Sequence, residues 1–342
     1  MKDQYGRSIG YMRVSVTDRC NLRCIYCMPA EGVPCVQHGD ILTFDEITRL
    51  CRIGTEIGIS RIKLTGGEPL VRRGLPELLR MIKELPGIEQ VTLTTNGILL
   101  KEKINELVSN GLDAVNISID TLEAGEYRRI TRGGRLEEAL AGMEAALRFP
   151  DLRVKLNCVP MQGMPEEGYV RLAELARDRD MDVRFIEMMP IGMGREYGYV
   201  SGEQIYRILE DVFGRAEECA GSFGNGPAVY VRFPGFRGKT GFIDAVSHQF
   251  CDRCNRVRLT SEGCLKPCLQ YGDGTDLRLL LRSGADDGKI REAMYRAVYK
   301  KPACHHFGGK TSGASGDGAA AVSEGEEIQQ KDETRDMSQI GG

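Results

Sequence analysis

The chain has 342 residues and a net charge of −3, with 28% of its residues charged. This length suffices for one large α/β domain plus a smaller extension, and the near-neutral charge gives no global attraction to nucleic acid or to an anionic membrane. No segment approaches the roughly 20 apolar residues of a membrane helix, and the N-terminus lacks a secretory pattern. We therefore expect a cytoplasmic protein with no nucleic-acid or membrane partner, in which a local basic cluster binds any anionic ligand.

Strand-like and helix-like segments alternate over the first 220 residues, beginning with a strand. Strands are predicted at Tyr11–Val16, Arg61–Leu64, Gln90–Thr94, Asp113–Ile119, Arg153–Val159 and Met181–Met188. Helices are predicted from the Thr43 and Glu46 capping box, and at Leu75–Leu85, Leu100–Asn110, Leu136–Leu147, Glu166–Arg177 and Glu203–Phe213. Because six βα units are too few for a closed eightfold barrel, the pattern predicts an α/β fold, a partial (βα)6 TIM-type barrel with ligands at the carboxyl ends of its strands.

Beyond residue 221 the pattern changes to short strand-like runs separated by Gly and Pro. These runs are Ala228–Phe233, Thr240–Ile243 and Arg256–Thr260, and a last helix is predicted at Asp287–Lys300. They predict a small C-terminal β-rich extension that surrounds a second cysteine group and closes the barrel. The expected division is a barrel at 1–220, the extension at 221–307, a flexible Gly- and Ser-rich linker at 308–336 and a Gly-Gly terminal tail at 337–342.

Three of the twelve cysteines share one short loop after the first predicted strand. Cys20, Cys24 and Cys27 have the spacing C-x3-C-x2-C. Three thiolates on one loop can bind three irons of a four-iron cluster and leave the fourth iron open to a ligand. A structural zinc ion prefers four closed ligands, and no fourth ligand stands at a short spacing here. The spacing therefore favours an iron–sulfur cluster.

A second cysteine group lies near the C-terminus. Cys251 and Cys254 form a C-x2-C pair, and Cys264 and Cys268 follow it. With Cys268 the group supplies three thiolates, as in the first loop, whereas adding Cys264 gives four, enough for a closed zinc ribbon. Spacing alone leaves both readings open. The five scattered cysteines are interpreted as mostly ordinary small buried residues, and they are Cys35, Cys51, Cys158, Cys219 and Cys304.

The first cysteine loop, with Tyr26 before its last cysteine, resembles the radical S-adenosylmethionine superfamily. The loop Thr65-Gly-Gly-Glu-Pro69 after the second predicted strand is similar to the next motif of that superfamily. Its glycines permit close backbone approach to a bound ammonium, and Glu68 can add charge. The resemblance implies a [4Fe-4S] cluster on this loop that cleaves S-adenosylmethionine to a 5′-deoxyadenosyl radical. It also implies that the cofactor contacts are Tyr26, Gly67, Ser118 and Met189.

The second cysteine group resembles a more specific family, the GTP 3′,8-cyclases of molybdenum-cofactor biosynthesis. The likeness is carried by Cys251 to Thr260 and by Leu265-Lys-Pro-Cys268-Leu, spans Tyr5 to Phe307 and resumes over the last six residues. It implies that Cys251, Cys254 and Cys268 bind a second [4Fe-4S] cluster whose open iron binds guanine. Cys264 stands where that family usually has a residue other than cysteine.

The resemblance also implies a set of nucleotide contacts. Several lie on β-rich segments that are otherwise apolar, where an unpaired charge is costly unless an anion such as a triphosphate compensates it. The implied GTP contacts are Arg13, Lys63, Thr94, Lys155, Arg256, Val257 and Arg258, with Arg61 and Arg184 as auxiliary phosphate contacts. The implied catalytic residues, as candidates for supplying a proton, are Arg13, Arg256 and Arg258.

The implied reaction converts GTP to (8S)-3′,8-cyclo-7,8-dihydroguanosine 5′-triphosphate, with two [4Fe-4S] clusters and S-adenosylmethionine as cofactors. The implied partners are a reductant protein such as flavodoxin or ferredoxin and a downstream cyclic pyranopterin synthase, and a homodimer is left open. Two alternatives remain at this point. One is a radical S-adenosylmethionine enzyme that modifies peptides with an auxiliary cluster, and the other is a zinc-stapled nucleotide-binding regulator. Iron and zinc content separates the last of these from the enzymes.

Overall fold

A computed structural model describes residues 1–221, 223–307 and 331–341. The strands of these residues are β1 Tyr11–Ser15, β2 Arg61–Thr65, β3 Gln90–Thr95, β4 Ala114–Ser118, β5 Arg153–Cys158, β6 Met181–Ile186, β7 Glu217–Glu218, β8 Val229–Arg232, β9 Thr240–Ile243, β10 Arg256–Leu259, β11 Cys264–Lys266 and β12 Thr275–Asp276. The α-helices are α1 Phe44–Glu56, α2 Leu75–Lys83, α3 Leu100–Ser109, α4 Ala124–Thr131, α5 Leu136–Ala146, α6 Glu166–Asp178, α7 Gly202–Phe213, α8 Leu277–Arg282, α9 Asp287–Tyr299 and α10 Met337–Ile340. No helix of this part of the chain combines the length and apolar character needed to cross a bilayer.

All described strands form one sheet, in the order β12-β11-β10-β1-β2-β3-β4-β5-β6-β9-β8-β7. The eight strands from β10 to β9 in this order run parallel. The predicted α/β partial barrel of six βα units is therefore confirmed. The extension adds β10 beside β1 and β9 beside β6, so it lengthens the parallel sheet at both ends instead of forming only hairpins, since the long connections permit parallel pairing.

The first helix shows how local sequence fixes an element. The Thr43 side chain accepts the Glu46 amide at 3.1 Å, and the Glu46 carboxylate accepts the Thr43 amide at 2.8 Å. This predicted capping box stabilises the helix by about 1 kcal/mol. The buried residues Ile47, Leu50 and Ile53 of α1 belong to the core between the helices and the sheet.

Alternation along the strands divides the barrel into an apolar outside and a polar inside. Met12 and Val14 of β1 belong to the core under the helices, whereas Arg13 between them faces a cavity inside the barrel. In the same way Ile62 and Leu64 of β2 are in the core, and Lys63 faces inward. Successive side chains of a strand point to opposite faces, so the basic residues of the strands collect inside.

The C-terminal segment packs against the extension. Asp332 forms a β-bridge with Tyr271, and the buried carboxylate of Glu333 pairs with the buried ammonium of Lys266. Residues 331–336, which the sequence analysis assigned to the linker, thus lie against β11 because this ion pair and bridge hold them there. The remainder of the expected linker, 308–330, and Gly342 lie outside the described residues.

Candidate active site

The three cysteines of the first loop lie together directly after β1. Burial raises the pKa of Cys20 to about 11 and that of Cys27 to about 12. Burial, followed by the nearby Cys27 and Asp120, raises the pKa of Cys24 well above its usual value. Buried thiols that raise one another's pKa ionise only when positive charge is shared among them, as in an iron–sulfur cluster. The donor set therefore fits the cluster that the spacing predicts.

The loop that follows β2 lies tightly against this cysteine loop. A side-chain carbon at Gly67 would come within 2.4 Å of the Arg19 carbonyl oxygen, and the Gly67 amide donates to the Thr17 carbonyl at 2.7 Å. Glycine is therefore required here by contact with the protein itself.

Glu68 of the same loop has an internal role. Its carboxylate accepts the Leu70 amide at 3.0 Å, the Thr95 hydroxyl at 2.7 Å and the Asn96 amide at 2.7 Å. Burial raises the pKa of Glu68 to about 7. The expectation that Glu68 adds charge to a ligand is thus not met in this arrangement, because its oxygens are used to hold the loop.

A cavity of about 260 Å³ borders the second cysteine group and reaches Tyr26 of the first cysteine loop, and we call it the central cavity. Tyr26, Ser118 and Met189 line it on the side of the first loop. Three members of the second group also line it, namely Cys251, Cys254 and Cys268. Three of the four predicted cofactor contacts therefore share one space with the second cysteine group, while Gly67 lies in the loop beside it.

Tyr26 is held by a residue that the sequence analysis did not single out. Its hydroxyl donates to Oδ2 of Asp120 at 2.7 Å, and Oδ1 of Asp120 accepts the Val159 amide at 2.8 Å. Asp120 is buried, and burial raises its pKa to about 6. Asp120 follows Ser118 by two residues at the end of a predicted strand, and this position could have marked it as a residue of the site.

A second, smaller cavity of about 90 Å³ lies inside the barrel, and we call it the cationic pocket. Lys63, Lys155 and Arg184 line it and are each at least nine-tenths buried. Burial, followed by the nearby Arg184, lowers the pKa of Lys63 well below its usual value. Asp182 pairs with Lys155 at 3.0 Å, so one carboxylate faces several cations. An excess of buried positive charge of this kind suits a polyanion.

The cationic pocket and the central cavity are continuous. Six residues line both of them, namely Arg13, Thr94, Asn157, Ile186, Ile243 and Arg256. Lys63, Lys155 and Arg184 lie within their strands rather than at the carboxyl ends, where the sequence analysis expected ligands to bind. A ligand that reaches them from the central cavity must therefore extend into the barrel.

Two predicted nucleotide contacts lie elsewhere. Arg61 is the first residue of β2, is exposed and pairs with Glu89 at 3.3 Å, so it lines neither cavity. The Val257 side chain is 1% exposed and packs in the core, because alternation turns it away from the inward-facing Arg256 and Arg258. Arg61 thus lies outside both cavities, and the Val257 side chain does not face them.

The structure distinguishes Cys268 from Cys264. Burial raises the pKa of Cys251, and the further contributions come from Cys254, Cys268 and Cys304, which therefore lie nearby. Cys264 instead faces Gly274, where an added side-chain carbon would lie 2.3 Å from its Sγ. Cys264 lines neither cavity, so the four sulfurs of the zinc-ribbon alternative are not brought together. Within residues 1–221, 223–307 and 331–341, no three His, Cys, Asp or Glu side chains converge as ligands of a single metal ion.

Arg7 joins the Cys251 segment to the segment that follows α9. Its Nη1 donates to the Cys251 carbonyl at 2.8 Å and to the Ala303 carbonyl at 2.7 Å, while Nη2 donates to the Pro302 carbonyl at 2.6 Å. Asp3 accepts from Nε of Arg7 at 2.6 Å. This clamp places Cys304, which the sequence analysis treated as an ordinary buried residue, in the lining of the central cavity.

The terminal segment lies between the two cysteine groups. The Ser338 amide is a hydrogen-bond donor to Cys27, and the Gly341 carbonyl accepts from Nη1 of Arg258 at 2.5 Å. Asp336 accepts the Met193 amide at 3.2 Å. The terminal segment thus contacts both the first cysteine loop and Arg258.

A parallel partial barrel with three clustered thiols after its first strand defines a radical S-adenosylmethionine protein. The model of the Radical SAM superfamily matches residues 14–176, and the model Molybdenum Cofactor Synthesis C matches residues 181–307. The chain belongs to the GTP 3′,8-cyclase family, because it is 43% identical over 312 residues to the GTP 3′,8-cyclase of Clostridium perfringens strain 13, with 90% of this chain and 95% of that protein covered.

Further similarities agree with this assignment. The GTP 3′,8-cyclase of Heliobacterium modesticaldum is 47% identical over 310 residues, which cover 90% of this chain and 95% of the relative. Among solved structures, Streptococcus suis SuiB bound to S-adenosylmethionine superposes with a TM-score of 0.57 at 15% identity, covering 83% of this chain and 68% of that one. At this identity the superposition shows the shared fold alone. The superfamily brings with it a [4Fe-4S] cluster and S-adenosylmethionine, which the first cysteine loop fits.

Proposed function

We propose that this protein is a GTP 3′,8-cyclase that converts GTP to (8S)-3′,8-cyclo-7,8-dihydroguanosine 5′-triphosphate in molybdopterin biosynthesis. The observation that carries the proposal is the continuity of three features in one space. The central cavity has Tyr26 and Ser118 on one side and the second cysteine group on the other, and it opens into the cationic pocket. A nucleoside triphosphate has a matching order of base, ribose and polyanion.

The first half-site would hold the radical-generating cofactors. Cys20, Cys24 and Cys27 would bind a [4Fe-4S] cluster, and the proposed contacts to S-adenosylmethionine are Tyr26, Gly67, Ser118 and Met189. When bound, this pair supplies a 5′-deoxyadenosyl radical that acts at C3′ of the nucleotide. The Asp120 carboxylate fixes the Tyr26 hydroxyl at 2.7 Å, so that this side of the cavity is preorganised.

The second half-site would hold the substrate. Lys63, Lys155 and Arg184 would bind the triphosphate inside the barrel, where each hydrogen bond to a charged group contributes about 1.5–3 kcal/mol. Thr94 and the Val257 backbone would complete the contacts. The guanine would lie at a second [4Fe-4S] cluster held by Cys251, Cys254 and Cys268, whose three thiols border the central cavity without Cys264.

Three arginines are the proposed catalytic residues. Arg13 and Arg256 line both cavities, and Arg258 lines the central one, so all three adjoin the junction where the ribose would lie. Burial lowers the pKa of Arg13, and burial together with Arg13 lowers that of Arg258 well below its usual value. We propose that they hold the nucleotide in position and that one of them, or a water that it binds, supplies the proton at guanine.

The proposed function also includes a role for the C-terminal extension and for partner proteins. Residues 221–307 are proposed to close the barrel around the second cluster. An external one-electron donor such as flavodoxin or ferredoxin is required in principle because the cleavage of S-adenosylmethionine is reductive. A downstream cyclic pyranopterin synthase would consume the product. A cytoplasmic location and a homodimer also stay proposals.

The two alternatives are less well supported. The zinc-stapled regulator needs Cys264 with the other thiols, and Cys264 faces Gly274 instead. The only support for a peptide-modifying enzyme is a shared fold, because SuiB, whose structure was solved with its precursor peptide SuiA, is only 14% identical to this chain.

The activity can be tested with anaerobically reconstituted protein, a reductant, S-adenosylmethionine and GTP. We expect 5′-deoxyadenosine and the cyclised triphosphate to form together, and both to require GTP. Formation of 5′-deoxyadenosine no faster than in a control without GTP would contradict the proposal.

A further inference from the structure

One side of the central cavity carries a buried polar atom that the arrangement so far leaves unexplained. His305 lines the cavity and is only 6% exposed. Its Nε2 atom is buried and has no hydrogen-bond partner among the residues that the structure describes. Leaving a buried polar group without a hydrogen-bond partner is unfavourable, so such an atom on a residue that lines a binding cavity points to a ligand.

The contact made by the other ring nitrogen, Nδ1, shows whether Nε2 is a hydrogen-bond donor or an acceptor. Nδ1 of His305 accepts the amide of Phe307 at 3.4 Å, and the two rings pack with their centroids 4.4 Å apart. A neutral imidazole has one acceptor and one donor nitrogen. Because Nδ1 is the acceptor, the proton resides on Nε2. The unpartnered ring atom of this cavity-lining residue is therefore a hydrogen-bond donor.

The backbone that leads to His305 is fixed by several hydrogen bonds. The His305 amide donates to Sγ of Cys251 at 3.5 Å, which places the residue directly beside the second cysteine group. The Tyr271 hydroxyl donates to the Cys304 carbonyl at 3.0 Å, and Arg7 binds the Ala303 carbonyl. The donor is thus preorganised and does not have to be assembled when a ligand arrives.

We propose that Nε2–H of His305 donates a hydrogen bond to O6 of the guanine base and so selects guanine over adenine nucleotides. This inference rests on the proposed function, which places guanine beside Cys251, Cys254 and Cys268. Guanine carries an acceptor oxygen at position 6, whereas adenine carries an amino donor at the same position. Two donors that face each other leave both unpaired, and such a mismatch costs on the order of tenfold to a hundredfold in affinity.

The test compares nucleotide binding to the anaerobic holoenzyme and its variants. GTP, inosine triphosphate and ATP are the probes, because inosine triphosphate keeps O6 and lacks the 2-amino group. For His305→Ala we expect the affinities for GTP and inosine triphosphate to fall together, by roughly tenfold to a hundredfold, whereas that for ATP should not fall, because the mismatch with its amino group is removed. For His305→Gln, whose amide can replace the Nε2 donor, we expect part of the preference to return.

His305→Phe keeps the packing on Phe307 without the donor, and it gives the same comparison if the Ala variant does not fold. Iron content and the electron paramagnetic resonance spectrum without nucleotide are measured for each variant. An unchanged ratio of GTP to ATP affinity in His305→Ala would overturn the inference. A changed spectrum of the second cluster before nucleotide is added would also overturn it, because the ring would then serve the cluster.

Failure of the proposed function would look different. Wild-type protein that holds a single cluster, yet shows a guanine preference that depends on His305, would refute the second cluster and support this role of His305.

Discussion

The two cysteine groups are built in different ways. The first group comes from a single loop, Cys20 to Cys27, and its spacing alone indicates the number of ligands. The second group combines Cys251 and Cys254 with Cys268 from the far end of a hairpin, and the Arg7 clamp brings Cys304 to the same cavity. Sequence spacing predicts which cysteines are ligands when a single loop supplies all of them. When the ligands come from distant segments, tertiary contacts determine which cysteines come together.

The electrostatic surroundings of the two groups also differ. Burial and the nearby Asp120 act on Cys24 in the same direction, and both raise its pKa. At Cys254 burial raises the pKa, but Lys301 and Arg256 more than offset it, so the pKa is lowered. The first group therefore depends on bound metal for charge compensation, and the second lies in a cationic region that suits an anionic nucleotide.

The largest effect is expected at the first group. Cys24→Ser removes one of only three ligands, so we expect product formation to fall to background and about four of roughly eight irons to be lost. Cys51→Ala is the matched control, because Cys51 is a buried thiol of α1 far from metal chemistry. Activity and iron content measured after anaerobic reconstitution check this, and an active Cys24→Ser enzyme would refute the assignment.

The next largest effect is expected at the second group, where it distinguishes Cys268 from Cys264 as a cluster ligand. Cys268→Ser is expected to lose about half of the iron, whereas Cys264→Ser is expected to keep nearly all of it, because Cys264 faces Gly274. Iron and sulfide analysis of both variants provides the test. Equal losses in the two variants would mean that Cys264 is a ligand and that the second cluster has no open iron.

A smaller effect is expected on binding in the barrel. Lys63→Met removes a buried cation from the cationic pocket, and we expect the KM for GTP to rise roughly tenfold to a hundredfold. Arg61→Met alters the same strand at an exposed residue paired with Glu89, and it should leave the KM unchanged. Steady-state kinetics distinguish the two, and a KM effect of Arg61→Met equal to that of Lys63→Met would restore Arg61 to the site.

The smallest effect concerns Glu68, a buried glutamate of the loop after β2, whose surroundings differ from those of Glu333, a buried glutamate of the C-terminal segment. Glu333 is paired with Lys266, whereas Glu68 accepts hydrogen bonds and has no cationic partner within the described part of the chain, and burial raises the pKa of Glu68 to about 7. Because the folded pKa lies above the unfolded one, the protonated form stabilises the fold at low pH, and this contribution is lost as the pH rises through about 7.

Unfolding of the anaerobic holoenzyme checks this sign. Between pH 5.5 and pH 8 we expect Glu68 to contribute a loss of up to about 2 kcal/mol in the free energy of unfolding. In Glu68→Gln this part of the pH dependence should disappear. A wild-type enzyme whose stability rises over the same interval, with an unchanged slope in the variant, would contradict the burial of an unpaired carboxyl.

The sequence predicted the six strands of the barrel to within a few residues, because their apolar runs and the capping signals agree with the fold. It did not predict α8, whose short run of leucines resembles a strand, although Asp276 caps the helix by accepting the Leu279 amide at 2.9 Å. Strand register decides whether a given side chain faces the interior of the barrel or the core under the helices. Arg61 therefore lies outside both cavities and the Val257 side chain lies in the core, whereas Lys63 and Arg256 face the cavities, where their contacts to GTP stay a prediction.

Long-range contacts account for what else the sequence did not reveal. The pairing of Glu333 with Lys266 joins residues far apart in the chain, and so does the clamp from Arg7 to Ala303. Their residue types are common on protein surfaces, so the printed sequence holds no signal for them. Cys304 and His305 gain significance only from these contacts.

The central claim is that one cavity places C3′ of GTP against the S-adenosylmethionine side while the base lies at the second cysteine group. It is tested most directly with GTP that carries deuterium at C3′. We expect the deuterium to be transferred to 5′-deoxyadenosine, as read by mass spectrometry. Formation of 5′-deoxyadenosine that contains no deuterium, with the label retained in the nucleotide, would contradict it.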